Sequence, residues 1–491
     1  MWLPEWLRLA HKTTYLQQAQ EINGIAFDIE KAKKLLVHIN EEMTKIEEEV
    51  LPQLPPRPLK KSEMPQFTMP KKPFRLDGSY SELMCRFAAK HGGTLDPDNT
   101  MTLSGETVRV AGGAMLDVKL PMSLSNQDDL KDWFLESGWV PSLYNFKKDA
   151  NGKVVRDSNK QPIQTSPKLQ ENGRLCPNLE QLDGGLAKLV VRYLSYRNRR
   201  SVLEGWLDSP RLPFDGRLTA GSSGITNTFR QKHTIVANVP KNKEHVLLGK
   251  EFRELFIARR GLRLVGFDAS SLEDRIKGHL TYKYDGGEYA NKILSPGYDP
   301  HQENADLWTI DRSIAKNGTY ALGYFCGVKK LATTIKCSQD QAAERHKAYW
   351  ELNAALKALD EALERHWESN GKKYIIGLDG RRVYSRHRHG LVNLAIQSSG
   401  SILMDCAAVW MDTKLGGLHY DGTGAFYLVD GKRAYRVLYM HDEYVYDCEE
   451  AIAQYVADVG SESIKRAGER FNLRVPLLSE AKIGLNWSEL K

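Results

Sequence analysis

Residues 437–450 read VLYMHDEYVYDCEE. Val437, Leu438 and Tyr439 before the centre, and Tyr444, Val445 and Tyr446 after it, are β-formers, while His441, Asp442 and Glu443 interrupt them with three polar groups in a row. That pattern is strand, tight turn, strand, and it commits this end of the chain to antiparallel sheet. The two carboxylates then lie at or beside a hairpin tip, presented on a rigid element. Such a presentation suits metal binding; a solvated acidic turn is the ordinary alternative.

A chain of 491 residues has room for roughly three domains or lobes of about 150 residues each. Its 41% hydrophobic and 27% charged residues match a soluble globular protein, and no run approaches the roughly 18 apolar residues of a membrane span. The opening MWLPEWLRLAHKTTYLQQAQ lacks the basic start, long apolar centre and small-residue cleavage site of a secretion signal. Cys85, Cys176, Cys326, Cys337, Cys406 and Cys448 are widely spaced, with no CxxC pair or zinc-like spacing, so a reducing, cytoplasmic compartment is expected. A formal charge of +7 is modest for this length and permits a polyanionic partner without requiring one.

From Asp28, an acidic N-cap candidate, Leu35, Leu36, Ile39, Met43 and Ile46 recur at helical spacing and predict a long, charged helix. Between Leu51 and about Lys119 the density of proline forbids regular helix at the outset, which predicts a linker or a small inserted module. NQDDLKDWFLESGWVP reads as helix, and NFKKDANGKVVRDSNKQPIQ as a mobile loop. LAKLVVRYLSYRNRRSVLEGWL predicts a second long helix carrying Arg192, Arg197, Arg199 and Arg200. A basic helix is either a solvated face or a grip for a phosphate backbone.

Two further constellations carry chemistry. In GLRLVGFDASSLEDR, Leu262, Leu264, Val265 and Phe267 make a buried strand with Asp268 at its carboxyl end, followed by a helix start. The carboxyl end of a core strand is a common place for chemistry, and a helix N-cap is the plain alternative. If Asp268 and Asp442 met in space, they would bridge two Mg²⁺ ions about 4 Å apart, the arrangement that clamps attacking and leaving oxygens in phosphoryl transfer. In DRSIAKNGTYALGYFCG, Arg312, Lys316 and Tyr320 stand at i, i+4 and i+8 and share one helix face, drifting only about 40° per step. Two cations and a ring are what a nucleoside triphosphate needs; a solvated basic face is the alternative.

DASSLEDR, RSIAKNGTYALGY and HDE, in that order, resemble the three polymerase motifs of family A DNA polymerases, the DNA polymerase I-like enzymes, and the likeness is greatest to the replicative polymerases of short-tailed phages. NGIAFD resembles the start of that family's thumb, GLDGRRVYSRHRHGLVNLAIQSSGSI its approach to the palm, and IGLNW its C-terminal close. The resemblance covers residues 20–50 and about 125–491.

It implies Asp268 and Asp442 as metal-binding carboxylates, with the carbonyl of Ala269 as a further ligand and two Mg²⁺ ions, replaceable by Mn²⁺, as cofactors. Arg312, Lys316 and His301 would hold the triphosphate of the dNTP, Lys316 also serving as general acid, and Tyr320 would stack near its sugar and base. Glu273 would hydrogen-bond to Tyr320 and exclude a ribose 2′-hydroxyl. Gln397 and Arg230 resemble minor-groove contacts, although Arg230 stands two residues out of the usual register. His441 and Glu443 would support the primer terminus and the metal site, Tyr324 would belong to the template-side pocket, and Arg199 and Arg200 would meet DNA. One departure is Ala321, where the family commonly has glycine; its methyl group would crowd the templating base.

The implied fold is α+β, a right hand. Residues 1–27 form an N-terminal segment, 28–205 a helical thumb with the insertion at about 51–119, 206–280 and 400–491 an antiparallel palm, and 281–399 helical fingers. The implied function is template-directed extension of a DNA primer, as in phage genome replication in the host cytoplasm. Too few residues precede Asp28 for the family's 3′–5′ exonuclease, so proofreading is expected from a separate exonuclease or a longer natural chain. Helicase or primase partners, and a processivity factor at the insertion, are further expectations. The rivals are a single-subunit RNA polymerase, against which Glu273 and Glu443 speak, a catalytically idle primer-template-binding protein, and a stand-alone nuclease.

Overall fold

The structure, a computed structural model, describes residues 3–490 apart from 104, 158–161, 172–173, 180, 181, 183 and 245. Two compact units are present: Met1–Leu36 with Val202–Lys491, and Val37–Ser201. The expected boundaries at 205/206, 280/281 and 399/400 fall inside the continuous helices Gly185–Leu207, Leu272–Asp285 and Leu391–Lys414. Composition does not change at those points because one helix carries the chain through each.

In the 37–201 unit the insertion is a folded module. Arg57–Pro58 pairs with Lys119–Leu120, so the two ends of the segment are tied together. Between them lie helix Glu82–Lys90, capped by the Ser81 hydroxyl on the Met84 amide, and a three-stranded antiparallel sheet, Thr94–Asp96, Thr100–Leu103 and Glu106–Arg109. Met69, Met84, Phe87, Met101, Val110 and Leu116 form its own apolar core. The stretch expected to be a mobile loop is a hairpin: Tyr144–Phe146 pairs with Gln164–Pro167, and the bridge Lys148 to Val154 continues the contact. The stretch is hydrophilic, which composition alone reads as loop; residues 158–161 of it lie outside those described. Asp28 does cap the helix Ile29–Val50, its carboxylate accepting from the Lys31 amide at 2.9 Å.

The larger unit is built on a six-stranded antiparallel sheet. In chain order its principal elements are α1 (Glu5–Asn23), β1 (Leu262–Ala269), α2 (Leu272–Asp285), α3 (Pro300–Trp308), α4 (Arg312–Gly323), α5 (Leu391–Lys414), β2 (His419–Asp421), β3 (Gly424–Val429), β4 (Lys432–Met440), β5 (Glu443–Glu449), α6 (Glu450–Arg470) and β6 (Ser479–Gly484). The strand order is β2-β3-β4-β5-β1-β6. Val265, Phe267, Tyr444 and Tyr446 on the sheet join Ile402, Leu403, Val456 and Ile464 on α5 and α6 in one core. Helix and sheet approach closely at Gly460 of α6, where a Cβ would stand 2.5 Å from the Phe267 ring. By length and composition α5 is apolar enough to cross a membrane, and 72% of its apolar window is buried inside this unit.

The N-terminal segment is a structural part of this unit. Gln17, Gln20 and Asn23 repeat every third residue on α1 and are buried. The Gln17 and Gln20 amides donate to the Ala220 carbonyl at 3.1 and 2.7 Å. Asn23 donates to the carbonyls of Ala425 and Arg436 at 2.7 and 2.9 Å and accepts from the Ala425 amide at 2.9 Å. Buried polar groups must find partners, and these amides supply them to the backbone of Ala220 and, through Asn23, of β3 and β4.

Candidate active site

β4 and β5 form the hairpin read in the sequence, with Met440 paired to Glu443 and only His441 and Asp442 between them. His441 takes the positive φ, 60°, that a two-residue hairpin loop demands, an uncommon conformation for a residue with a side chain. β5 lies beside β1 with Glu443 opposite Asp268, and the Ala269 amide donates to the Asp442 carbonyl at 3.1 Å. Directly opposed residues on antiparallel strands are about 5 Å apart, so the backbones of Asp268 and Asp442, one step from that pairing, are neighbours. The sheet therefore brings side by side two motifs that are remote in sequence.

Glu443 is only 4% exposed, and its Oε1 accepts from the Trp487 indole N–H at 2.9 Å. Trp487 is itself fully buried, its ring covered by the Arg253 guanidinium at 4.2 Å. The residue after Asp442 is thus anchored in the interior. On the other side of the turn, the His441 ring meets His233 edge to face with centroids 5.2 Å apart. Burial, and the neighbouring His441, push His233 down to about 4, so it is a neutral imidazole near pH 7.

The helix predicted to carry Arg312, Lys316 and Tyr320 exists as α4. Asp311 caps it through the Ser313 amide at 2.7 Å, and Gly318, where a Cβ would meet Ile335 and Trp308 within 3 Å, turns its other face into the core of this region. Tyr320 is 48% exposed and its ring lies 5.2 Å from that of His301. Burial lowers the Lys316 ammonium below its ordinary range, and Lys243, Lys241 and Arg312 push it the same way. Burial likewise lowers His301. Arg312 is not idle: its Nε donates to Asp299 at 2.7 Å, and Asp299 also caps α3 through the His301 amide at 2.8 Å.

Glu273, on α2, was expected to meet Tyr320; its Oε1 instead accepts from Arg230 Nη2 at 2.6 Å. Arg230 reaches it from an irregular hairpin, Ala220–Ile225 with Gln231–Ile235, whose register shifts between Ser222 and Ile225. Gln397 on α5 donates to the Tyr324 hydroxyl at 3.3 Å. A cavity of about 280 Å³ is lined by Arg230, Glu273, His301, Tyr320, Tyr324 and Asp442, among others, so these six expected site residues do meet.

A profile of DNA polymerase family A matches residues 178–489. The chain belongs to DNA polymerase family A. It is 27% identical to the DNA-directed DNA polymerase of Enterobacteria phage T3 over 389 residues, covering 74% of this chain and 52% of the relative. The figures for Escherichia phage T7 are 27% over 388 residues, 74% and 52%, and for the thermostable DNA polymerase I of Thermus aquaticus 24% over 328 residues, 62% and 36%. The chain spans about half the length of the phage relatives. A solved structure described as the POL domain of Pol1 from M. smegmatis in complex with DNA primer-template and dNTP matches with a TM-score of 0.65 and 17% identity, over 98% of this chain and 70% of that one. This establishes the right-hand polymerase fold, of α+β class, for this family A chain.

Enzymes of DNA polymerase family A depend on divalent metal ions. Among the described residues no group of three or more His, Cys, Asp or Glu side chains is arranged to hold a metal. Two carboxylates and the Ala269 carbonyl are nonetheless a donor set of hard oxygens, which fits Mg²⁺ with its retained waters. Arg199 and Arg200 belong to the 37–201 unit and are half-buried. Burial lowers the Arg199 guanidinium, which donates to Asn198 at 3.2 Å. Ala321 is partly buried against the core that includes Trp308 and Leu322.

Sequence reasoning missed a polar floor beneath the family A cavity. Lys277 on α2 donates to Asn353 at 3.1 Å and sits 4.0 Å from the Tyr289 ring centre, and the Tyr289 hydroxyl donates to Asp274 at 3.0 Å. Burial pushes Lys277 down to about 8 against the opposing pull of Asp274, Glu303 and Asp285. His233 and Trp487 were missed too. Trp487 closes the IGLNW stretch and Asp274 lies within DASSLEDR, but nothing in the spacing of either shows which partner its side chain meets.

Proposed function

We propose that this chain is a template-directed DNA polymerase that adds deoxynucleotides to the 3′ end of a DNA primer. The observation that carries the reading is the pairing of the strand that bears Asp268 with the strand that follows Asp442, beside a cavity lined by Asp442 and by Tyr320 of α4. Were those strands apart, the two aspartates would have no shared place for phosphoryl transfer.

Asp268, Asp442 and the Ala269 carbonyl would hold two Mg²⁺ ions, with Mn²⁺ as a substitute. Ions so held lower the pKa of the primer 3′-hydroxyl and neutralise the departing pyrophosphate. The protein's own residues do the rest. Arg312 exchanges Asp299 for the triphosphate, a fork meeting phosphate oxygens, while Lys316 and His301 approach the same group. Because Lys316 is depressed by burial and by neighbouring cations, its ammonium is a stronger acid than a free lysine and is suited to protonate pyrophosphate as it leaves. Tyr320 presents a ring to the sugar and base, and Glu273 fills the space a 2′-hydroxyl would need. His441, Gln397, Arg230 and Tyr324 surround the primer terminus and the templating base, and Glu443 positions Asp442 from behind.

The T3 and T7 relatives support a role in phage genome replication in the host cytoplasm. The insertion, with an apolar core of its own, would be the place for a processivity partner, alongside helicase or primase partners. Arg199 and Arg200 would follow the DNA backbone, so binding should weaken steeply with salt. Primer extension with Mg²⁺ tests the reading: dNTPs should be incorporated opposite their complements and NTPs rejected. Equal use of both would favour the RNA polymerase alternative, and no extension with intact DNA binding would favour an idle binding protein.

A further inference from the structure

Both side chains expected to probe the minor groove of a base-paired primer terminus are engaged by other residues of the protein. Arg230 is held by Glu273 at 2.6 Å, and Gln397 by the Tyr324 hydroxyl at 3.3 Å. Each partner is a residue of the nucleotide cavity. The pair is half-exposed, with Arg230 and Glu273 side chains 29% and 43% accessible, so it can open without leaving a buried charge behind. The two groups also lie on different supports, Arg230 on an irregular hairpin and Glu273 on the first turn of α2.

We propose that the Arg230–Glu273 ion pair is a latch that makes Arg230 a specificity-determining residue for the incoming sugar. While Arg230 holds Glu273, that carboxylate is turned from Tyr320 and the place of a 2′-hydroxyl is unguarded. A correctly paired primer terminus offers minor-groove acceptors that compete for the Arg230 guanidinium. Arg230 leaves, Glu273 turns to the Tyr320 hydroxyl, and Gln397 releases Tyr324 in the same exchange. A mispaired terminus misplaces those acceptors, and the latch stays shut. Pairing at the primer end is thereby coupled to sugar selection one nucleotide ahead. This rests on the reading of the site as a primer-extending one.

The test is a double-mutant cycle on primer-template affinity, read by fluorescence anisotropy of labelled DNA in the absence of nucleotide, with wild type, Glu273→Gln, Arg230→Ala and the double variant. Glu273→Gln should tighten binding roughly threefold, the scale of a half-exposed ion pair, because Arg230 no longer has to be released. In the Arg230→Ala background the same substitution should change nothing. An equal gain in both backgrounds would mean a general loss of negative charge and would overturn the latch; so would no gain in either. Arg230→Lys, which keeps the charge and the fold but loses the fork, should retain only part of the coupling. Should the wild-type chain bind no primer-template at all, the polymerase reading itself fails along with the latch.

Discussion

The indole N–H of Trp487 donates to the carboxylate of Glu443 across 2.9 Å, and Glu443 is the residue that follows Asp442. Trp487 thus fixes the edge of the turn that carries Asp442. Trp487→Phe removes that donor while keeping the ring, and should destabilise the protein by about 1–3 kcal/mol. Turnover should fall by more than primer-template affinity does, because Asp442 loses its support. Urea unfolding and steady-state extension on the same samples check both halves.

Asp442→Asn should leave primer-template affinity within a few-fold of wild type and lower the extension rate by about 10²–10³, the scale of losing one charge-stabilising group. Single-turnover extension and anisotropy separate the two effects. Unchanged extension would remove Asp442 from the catalytic set.

Asn23 serves three hydrogen bonds to the backbone of β3 and β4. Asn23→Ala leaves a buried amide and two carbonyls short of partners, at a cost of about 2–4 kcal/mol. The denaturant midpoint should fall without a change in the m-value, and Asn23→Gln should not restore it, since the longer side chain misplaces both ends of the amide.

His233 has its folded-state pKa depressed to about 4 from an ordinary 6.5. The unfolded chain therefore binds the proton more tightly, so this residue's share of stability is fully present above pH 6.5 and is lost as the pH falls towards 4. The loss should amount to about 2–3 kcal/mol across that window. His233→Gln should flatten that part of the stability-against-pH curve, measured by urea unfolding between pH 7 and pH 4.5. A curve identical to wild type would show that His233 titrates normally.

Much of the candidate site was legible because its residues sit in short, ordered stretches whose local pattern also sets their local structure. Asp268 ends an apolar run, Asp442 interrupts one, and Arg312, Lys316 and Tyr320 keep helical spacing. The N-terminal helix was not legible as part of the fold: Gln17, Gln20 and Asn23 look like a solvated face, since an amide reads as polar whether it meets water or a buried carbonyl. The insertion's core was hidden for another reason, its apolar residues being spread over one short helix, loops and short strands with no single period.

Local stretches, then, carried the identity of the chemistry: which residues are acidic, which face of a helix is cationic, and where a strand must turn. Only the tertiary structure decided partnership. Glu273 holds Arg230 rather than Tyr320, and Trp487 holds Glu443, because hydrogen bonds and ion pairs act over about 3 Å and depend on strand register and helix packing. Neither leaves a trace in the spacing of the residues that make them.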